Sequence, residues 1–181
     1  MRTHAALLRG INVGGNNKVP MKDLRLLIAS LGYGDVETYI QSGNVVLSSD
    51  SDAEDIRASL ERAVAEQLGV SCAVVVVTRE ELAGVVAGNP FPADDDRRLH
   101  VVFRSSPFGV DDLEAVDRAV ARARAKGSRD EVSVAEKTMY LWTPDGYGRS
   151  ELAAQLSRAG TAGGTARNWA TVSRLMEMLE S

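Results

Sequence analysis

Short apolar runs alternate with stretches in which apolar residues recur every three or four positions, and each change of period marks a new element. Thr3 to Leu8 is apolar and strand-like. Leu24, Leu27, Ile28 and Leu31 then recur at helical spacing, with Pro20 suited to the first turn and Gly32 to the position after the last. Val36 to Ile40 and Asn44 to Leu47 read as a hairpin punctuated by Ser42-Gly43. Ser51-Asp52-Ala53-Glu54 has the form of a capping box. It opens a helix with the stripe Ile56, Leu60, Ala63, Val64 and Leu68, and Gly69 ends it. Val70 to Val77 is apolar along nearly its whole length, the pattern of a strand covered on both faces or paired centrally. The order β-α-β-β-α-β is the split βαβ, ferredoxin-like arrangement.

Thr78-Arg79-Glu80-Glu81 predicts a short linking helix carrying Leu82, Val85 and Val86, halted by Asn89-Pro90-Phe91-Pro92. The charged stretch Ala93 to Arg98 follows, and the chain is read as two subdomains, 1–92 and 93–181. The second repeats the pattern. Leu99 to Arg104 is a strand, and Asp111 with Glu114 caps a helix bearing Leu113, Val116 and Val120. Glu131 to Val134 and Thr138 to Trp142 are strands around Ala135-Glu136, and Arg149 to Arg158 is a helix with Leu152 and Leu156 inward. No clear fourth strand follows. Gly160 to Gly164 reads as a flexible loop, and a last helix carries Val172, Leu175, Met176 and Leu179. The expected fold is therefore α+β, two ferredoxin-like subdomains, the second lacking a clear fourth strand.

Composition narrows the function classes. With 181 residues, 44% hydrophobic and 25% charged, the chain is an ordinary globular protein able to bury a sizeable core. A formal charge of −4 argues against coating nucleic acid by bulk electrostatics. Cys72 is the single cysteine, which excludes a disulfide within the chain and reads as a buried thiol. No apolar stretch reaches the about 18 residues needed to span a bilayer, so no membrane association is expected. Gly10 and Asn12 break the first apolar run too early for a usual signal peptide, and the expected location is cytoplasmic.

The densest polar chemistry lies in Arg9 to Pro20, RGINVGGNNKVP, between the first strand and the first helix. A loop entering a helix N-terminus presents backbone N–H groups and a positive dipole end, which suits an anion. In the ferredoxin-like topology the first two strands are parallel, joined by a right-handed crossover. Their C-terminal ends lie together, so this loop is expected beside the hairpin tip Gln41-Ser42-Gly43-Asn44. Arg9, Asn12, Asn16, Asn17, Lys18, Gln41, Ser42 and Asn44 would then form a polar cluster with two cations and no acid, fit for a carboxylate, a phosphate or a nucleic-acid backbone. Glycine and asparagine also serve any awkward turn, because they tolerate positive φ. It is the added cations and hairpin tip that favour a binding site. Gly10 and Gly15 have Walker A spacing, but Asn16-Asn17 stands where Lys-Ser/Thr is required, and no G-x-G-x-x-G occurs here.

A second unusual stretch is Thr165 to Thr171. Asn168 can cap the last helix, and Arg167 lies just outside its positive end. Trp169 reads as docking that helix on the core; for Arg167 a ligand contact and a structural ion pair stand level. His4 and His100 each sit within a predicted strand, where a structural role is the preferred reading. No Cys-His or Cys-x-x-Cys pairing supports a zinc site, and Asp94-Asp95-Asp96 reads as a solvated linker, so no metal and no cofactor are expected. Ser42 lacks an obvious base partner for nucleophilic chemistry. Tyr140 and Trp142 fit either a stacking platform or a sheet packed on both faces.

LLRGINVGGNNKVPM at Leu7 to Met21, YIQSGNVVL at Tyr39 to Leu47, the Asn89-Pro90-Phe91 bend and RNWATV at Arg167 to Val172 together resemble a bacterial family known as domain of unknown function 1697. The resemblance implies an α+β fold of two ferredoxin-like subdomains and supplies no activity. Its motif positions match at Arg9 to Lys18, Gln41 to Asn44 and Arg167 to Thr171. The family's last motif often has a second polar residue where this chain has Ala170, so that position is not carried over as a contact. The functional expectation is a binding protein for an anionic ligand, either a nucleotide, a phosphorylated metabolite or an RNA backbone. Arg9, Lys18 and Arg167 would pair with its charge, and Asn168 belongs to the same candidate set. The alternatives are an enzyme acting on a phosphorylated or carboxylated small molecule, and a protein-interaction module. Oligomeric state is not legible.

Overall fold

The computed structural model describes residues 1–160 and 164–181. The chain divides into two compact units, Met1–Gly84 with Ser173–Ser181, and Val85–Val172.

In the first unit, β1 (His4–Leu8) leads through the glycine loop to α1 (Met21–Ser30). There follow β2 (Gly34–Tyr39), β3 (Asn44–Ser48), α2 (Ala53–Leu68), β4 (Val74–Thr78) and α3 (Arg79–Ala87), the last of which carries the chain into the second unit. The sheet order is β2-β3-β1-β4, and β1 pairs antiparallel with both β3 and β4. Because β3 is also antiparallel to β2, β1 and β2 run parallel, as a right-handed crossover requires. Side chains alternate across the sheet. Ala6, Leu8, Val45, Leu47 and Val74 meet Leu24, Leu27 and Ile28 of α1 and Ile56, Leu60, Ala63 and Val64 of α2. On the opposite face Ala5, Leu7, Val46, Val75 and Val77 are buried as well. Each such buried Val, Leu or Ile side chain contributes roughly 1.5–3 kcal/mol of burial free energy.

The second unit repeats the topology with β5 (Leu99–Phe103), α4 (Val110–Ala125), β6 (Glu131–Ala135), β7 (Thr138–Trp142), α5 (Glu151–Arg158) and β8 (Thr165–Asn168); α6 (Trp169–Glu180) returns the chain to the first unit. Its sheet order, β6-β7-β5-β8, is the same arrangement. Val102, Met139 and Leu141 pack on Val116, Ala119 and Ala123 of α4 and on Leu152 and Leu156 of α5. The fold is α+β, built from two ferredoxin-like subdomains.

One expectation is corrected: the second sheet does have a fourth strand. β8 reads Thr-Ala-Arg-Asn, with no apolar alternation, so nothing local announces it. It forms because β5 supplies a ladder from Phe103↔Thr165 to His100↔Asn168. Gly164 enters it so tightly that a Cβ would lie 2.1 Å from the Phe103 carbonyl oxygen. Most of the expected Gly160–Gly164 loop, residues 161–163, lies outside the described residues. Smaller differences have local causes. Asp52, not Ser51, caps α2, accepting from the Asp55 N–H at 2.8 Å. The start of α4 is closed by the Asp112 carboxylate, which accepts from the Gly109 N–H at 3.0 Å, so neither Asp111 nor Glu114 plays that part. Gly69, at φ +67, turns the chain out of α2, and β4 begins only at Val74. In α6 the buried methionine is Met178.

Candidate functional site

The glycine loop is a built object. The last rungs of β1 splay: Leu8 N–H donates to the Gly43 carbonyl at 2.8 Å, and Arg9 N–H donates to the Ala73 carbonyl at 2.9 Å. From there Gly10 (φ +71), Asn12 (+55), Gly14 (+58), Gly15 (+80) and Asn17 (+49) all adopt the left-handed conformation, which explains the glycine and asparagine content. Gly14 and Gly15 are the centre of a type I′-like turn, where Asn16 N–H reaches the Val13 carbonyl at 3.0 Å. Asn12 N–H to the Asn17 carbonyl, also 3.0 Å, closes the next rung, and the Asn17 amide donates to the Gly10 carbonyl at 3.1 Å.

Asn12 is the staple. Its Nδ2 donates to the carbonyls of Val19 (2.9 Å) and Gln41 (2.8 Å), and its Oδ1 accepts from the Val19 N–H (2.8 Å). One side chain therefore closes the loop on itself and ties it to the hairpin tip. Ile11 and Val19 anchor both ends in the core. At the tip, the Tyr39↔Asn44 pair closes the loop Ile40–Gly43. Gly43, at φ +82, packs so closely that a Cβ would lie 2.6 Å from Ile11 Cδ1. Asn44 is fully buried, and its amide donates to the Tyr39 carbonyl and to Ser42 Oγ, each at 3.0 Å.

The loop and the hairpin tip thus lie side by side, and their polar side chains divide into two groups. Asn12, Asn17 and Asn44 spend their amides building the frame. Arg9, Asn16, Lys18, Gln41 and Ser42 face solvent. Neither Arg9 nor Lys18 forms an ion pair among the described residues. Below them α1 starts at Pro20 with no side-chain cap, and Asp23 is the acid in its first turn. Sequence reasoning missed Ile40, which it placed within the second strand. The residue stands outside that strand at φ +48 and is 48% exposed, and nothing in an isoleucine's chemistry announces such a conformation.

Arg167 and Asn168 belong to the second unit. Arg167, on β8 opposite Val101, is buried; its Nη1 donates to Thr165 Oγ1 at 2.7 Å and to the Ala166 carbonyl at 2.9 Å. Burial lowers its pKa to about 10. Asn168 Oδ1 accepts from the Thr171 N–H at 3.0 Å and caps α6, while Trp169 is buried. Tyr140 is also buried, its hydroxyl donating to the Val85 carbonyl at 2.9 Å, and Trp142 stacks on Phe91. Leu99, Val101, Phe103 and Tyr140 fill the sheet face away from α4 and α5. The aromatic face on which an RNA-recognition sheet stacks bases is therefore occupied by packing.

Burial shifts both histidines and the cysteine. Burial pushes His100 down to about 4; its ring lies 4.1 Å from that of Tyr147, and its Nδ1 has no hydrogen-bond partner among the described residues. Burial also lowers His4, whose Nδ1 meets Thr3 Oγ1 at 2.8 Å. Burial, with the Glu61 charge second, raises the Cys72 thiol to about 11, away from a reactive thiolate. Ser42 Oγ accepts from the Asn44 amide. Among the described residues no group of three His, Cys, Asp or Glu side chains is placed to hold a metal ion, and no helix is long and apolar enough to cross a membrane.

The family model for a protein of unknown function, DUF1697, matches residues 1–140, which include the glycine loop, the hairpin and the Asn89-Pro90-Phe91 bend and end before Arg167. No curated protein matches the sequence. Among solved structures, a conserved bacterial protein from Streptococcus pneumoniae is similar, with a TM-score of 0.71 and 25% identity, covering 98% of each chain.

Proposed function

We propose that this chain, which belongs to the DUF1697 family, is a binding protein for a small anionic ligand held at the Arg9–Lys18 loop and the Ile40–Gly43 hairpin tip. One observation carries the reading. Two cations with no acid partner among the described residues stand on a loop in which the Asn12 and Asn17 side chains are consumed in building the frame. A rigid frame lowers the ordering cost of binding, and Arg9 can offer a bidentate fork to a phosphate or carboxylate. Asn16, Gln41 and Ser42 supply neutral polar contacts, and the start of α1 adds a positive dipole end. Arg167 and Asn168 stay outside this contact set, because their side chains are engaged within the second unit. The formal charge of −4 favours a small anion over a polyanion gripped by bulk electrostatics. Binding is preferred to catalysis because neither histidine lies on the loop or the hairpin tip, and Cys72 is raised to about 11, away from a reactive thiolate.

A thermal-shift screen of the purified protein against nucleotides, sugar phosphates, dicarboxylates and short RNAs tests this. A ligand that binds only the folded state raises the melting temperature by mass action. The expected result is a shift with one phosphate or carboxylate class, abolished by Arg9→Ala with Lys18→Ala. A shift that survives the double substitution would remove the loop from the site.

A further inference from the structure

We infer that Ile40 is a ligand contact, and that the anion held by Arg9 and Lys18 carries an apolar or planar group that rests on Ile40 and Val13. This deepens the binding reading above and depends on it. Among the described residues, five other than glycine have positive φ: Asn12, Asn17, Asp35, Ile40 and Glu136. Asparagine and aspartate adopt that region readily, whereas a β-branched side chain crowds its own backbone there. Such strain persists only where the surroundings impose it, and it concentrates at functional positions.

Here the surroundings do impose it. The Tyr39↔Asn44 pair closes the loop on one side, Gly43 is packed against Ile11 and Leu8 on the other, and the Asn12 amide holds the Gln41 carbonyl. Ile40 is 48% exposed, so about half of an isoleucine held in the left-handed conformation stands in water. Its apolar surface is therefore available to something outside the chain. The Asn12–Gln41 bond puts Ile40 one residue from the tip's link to the glycine loop, and puts Val13, 65% exposed, one residue beyond Asn12. Two exposed aliphatic residues thus stand on the two segments that the Asn12–Gln41 bond joins, one of them the loop that bears Arg9 and Lys18. The complementary ligand is amphipathic: a phosphate or carboxylate joined to a base-like ring or an acyl chain.

The test is a calorimetric or NMR titration of the full chain with three probes that share one phosphate: inorganic phosphate, AMP and n-octyl phosphate. The expected result is that at least one organic phosphate binds about tenfold or more tighter than inorganic phosphate; whichever does so identifies the ring or the chain as the second half of the ligand. Ile40→Gly should bring that probe back to the affinity of inorganic phosphate and leave inorganic phosphate unchanged. Ile40→Asn, which tolerates the conformation and removes the apolar surface, should match it in binding. Equal affinity for all three probes, or full affinity for the organic probe in both variants, overturns the role of Ile40 while leaving the anion site standing. No charge-dependent binding of any probe overturns this inference for a phosphate ligand, and a thermal-shift screen without a response to any phosphate or carboxylate overturns the anion site as well.

Discussion

Replacing Asn12 by glycine tests the frame of the candidate site directly. Glycine keeps the backbone conformation at φ +55, so the substitution removes the side-chain amide and little else. Relief of left-handed strain and the added freedom of the unfolded chain act in opposite directions and are of similar size. What remains is the loss of the bonds to Val19 O, Gln41 O and Val19 N–H. At a net 0.5–1.5 kcal/mol each, their removal costs roughly 1.5–4.5 kcal/mol. For a chain of this size that lowers the melting temperature by about 3–18 °C. Far-UV circular dichroism is the suitable readout, because Trp142 and Trp169 both lie in the second unit and their fluorescence would follow the wrong part of the chain. Asn12→Gly should also weaken any anion bound through Arg9, since the loop would lose its side-chain hydrogen bond to the hairpin tip. A variant within about 0.5 kcal/mol of the parent, the range of an ordinary surface substitution, would refute the claim that Asn12 closes the loop.

Gly43→Ala should cost about 2–5 kcal/mol, summing left-handed strain with a clash at Ile11. Gly10→Ala, at similar φ but with nothing within 4 Å, should cost only the strain of about 1–2 kcal/mol; equal urea midpoints would contradict the packing argument. Arg9→Ala and Lys18→Ala should leave stability within about 0.5 kcal/mol of the parent while abolishing a ligand-induced thermal shift, and that shift should shrink with added salt. His100 supplies a pH dependence of defined sign. Its folded pKa, about 4, lies below the unfolded value of 6.5, so its contribution is fully present above pH 6.5 and is lost as the pH falls toward 4. His4 acts in the same direction. The His100 contribution is at most about 3 kcal/mol, less because its ring is only partly shielded. His100→Gln should flatten urea stability between those pH values, and an unchanged slope would exclude His100 as its source.

The amino-acid pattern by itself determined most of the local structure. Leu24, Leu27 and Ile28 at helical spacing, and the apolar runs at Ala5–Leu8 and Val74–Val77, dictate helix and strand because side-chain period is a property of neighbouring residues. The order of those elements, with the handedness of the crossover, was enough to bring the Arg9–Pro20 loop beside the Gln41–Asn44 tip. Tertiary structure decided whatever depends on a partner distant in the chain. β8 is a strand because β5 offers it a ladder, and no periodicity within Thr165–Asn168 encodes that. The asparagines of the loop share one chemistry in the sequence, yet Asn12 and Asn17 are bound into the frame while Asn16 faces solvent, because only the folded backbone places carbonyls within reach of an amide. Arg167, open between ligand contact and structural role in the sequence, is buried because β8 is drawn in beside β5. Ile40 looked like the last residue of a strand; closure of the hairpin on Ile11 and Asn12 turned it into an exposed, left-handed residue at the edge of the candidate site.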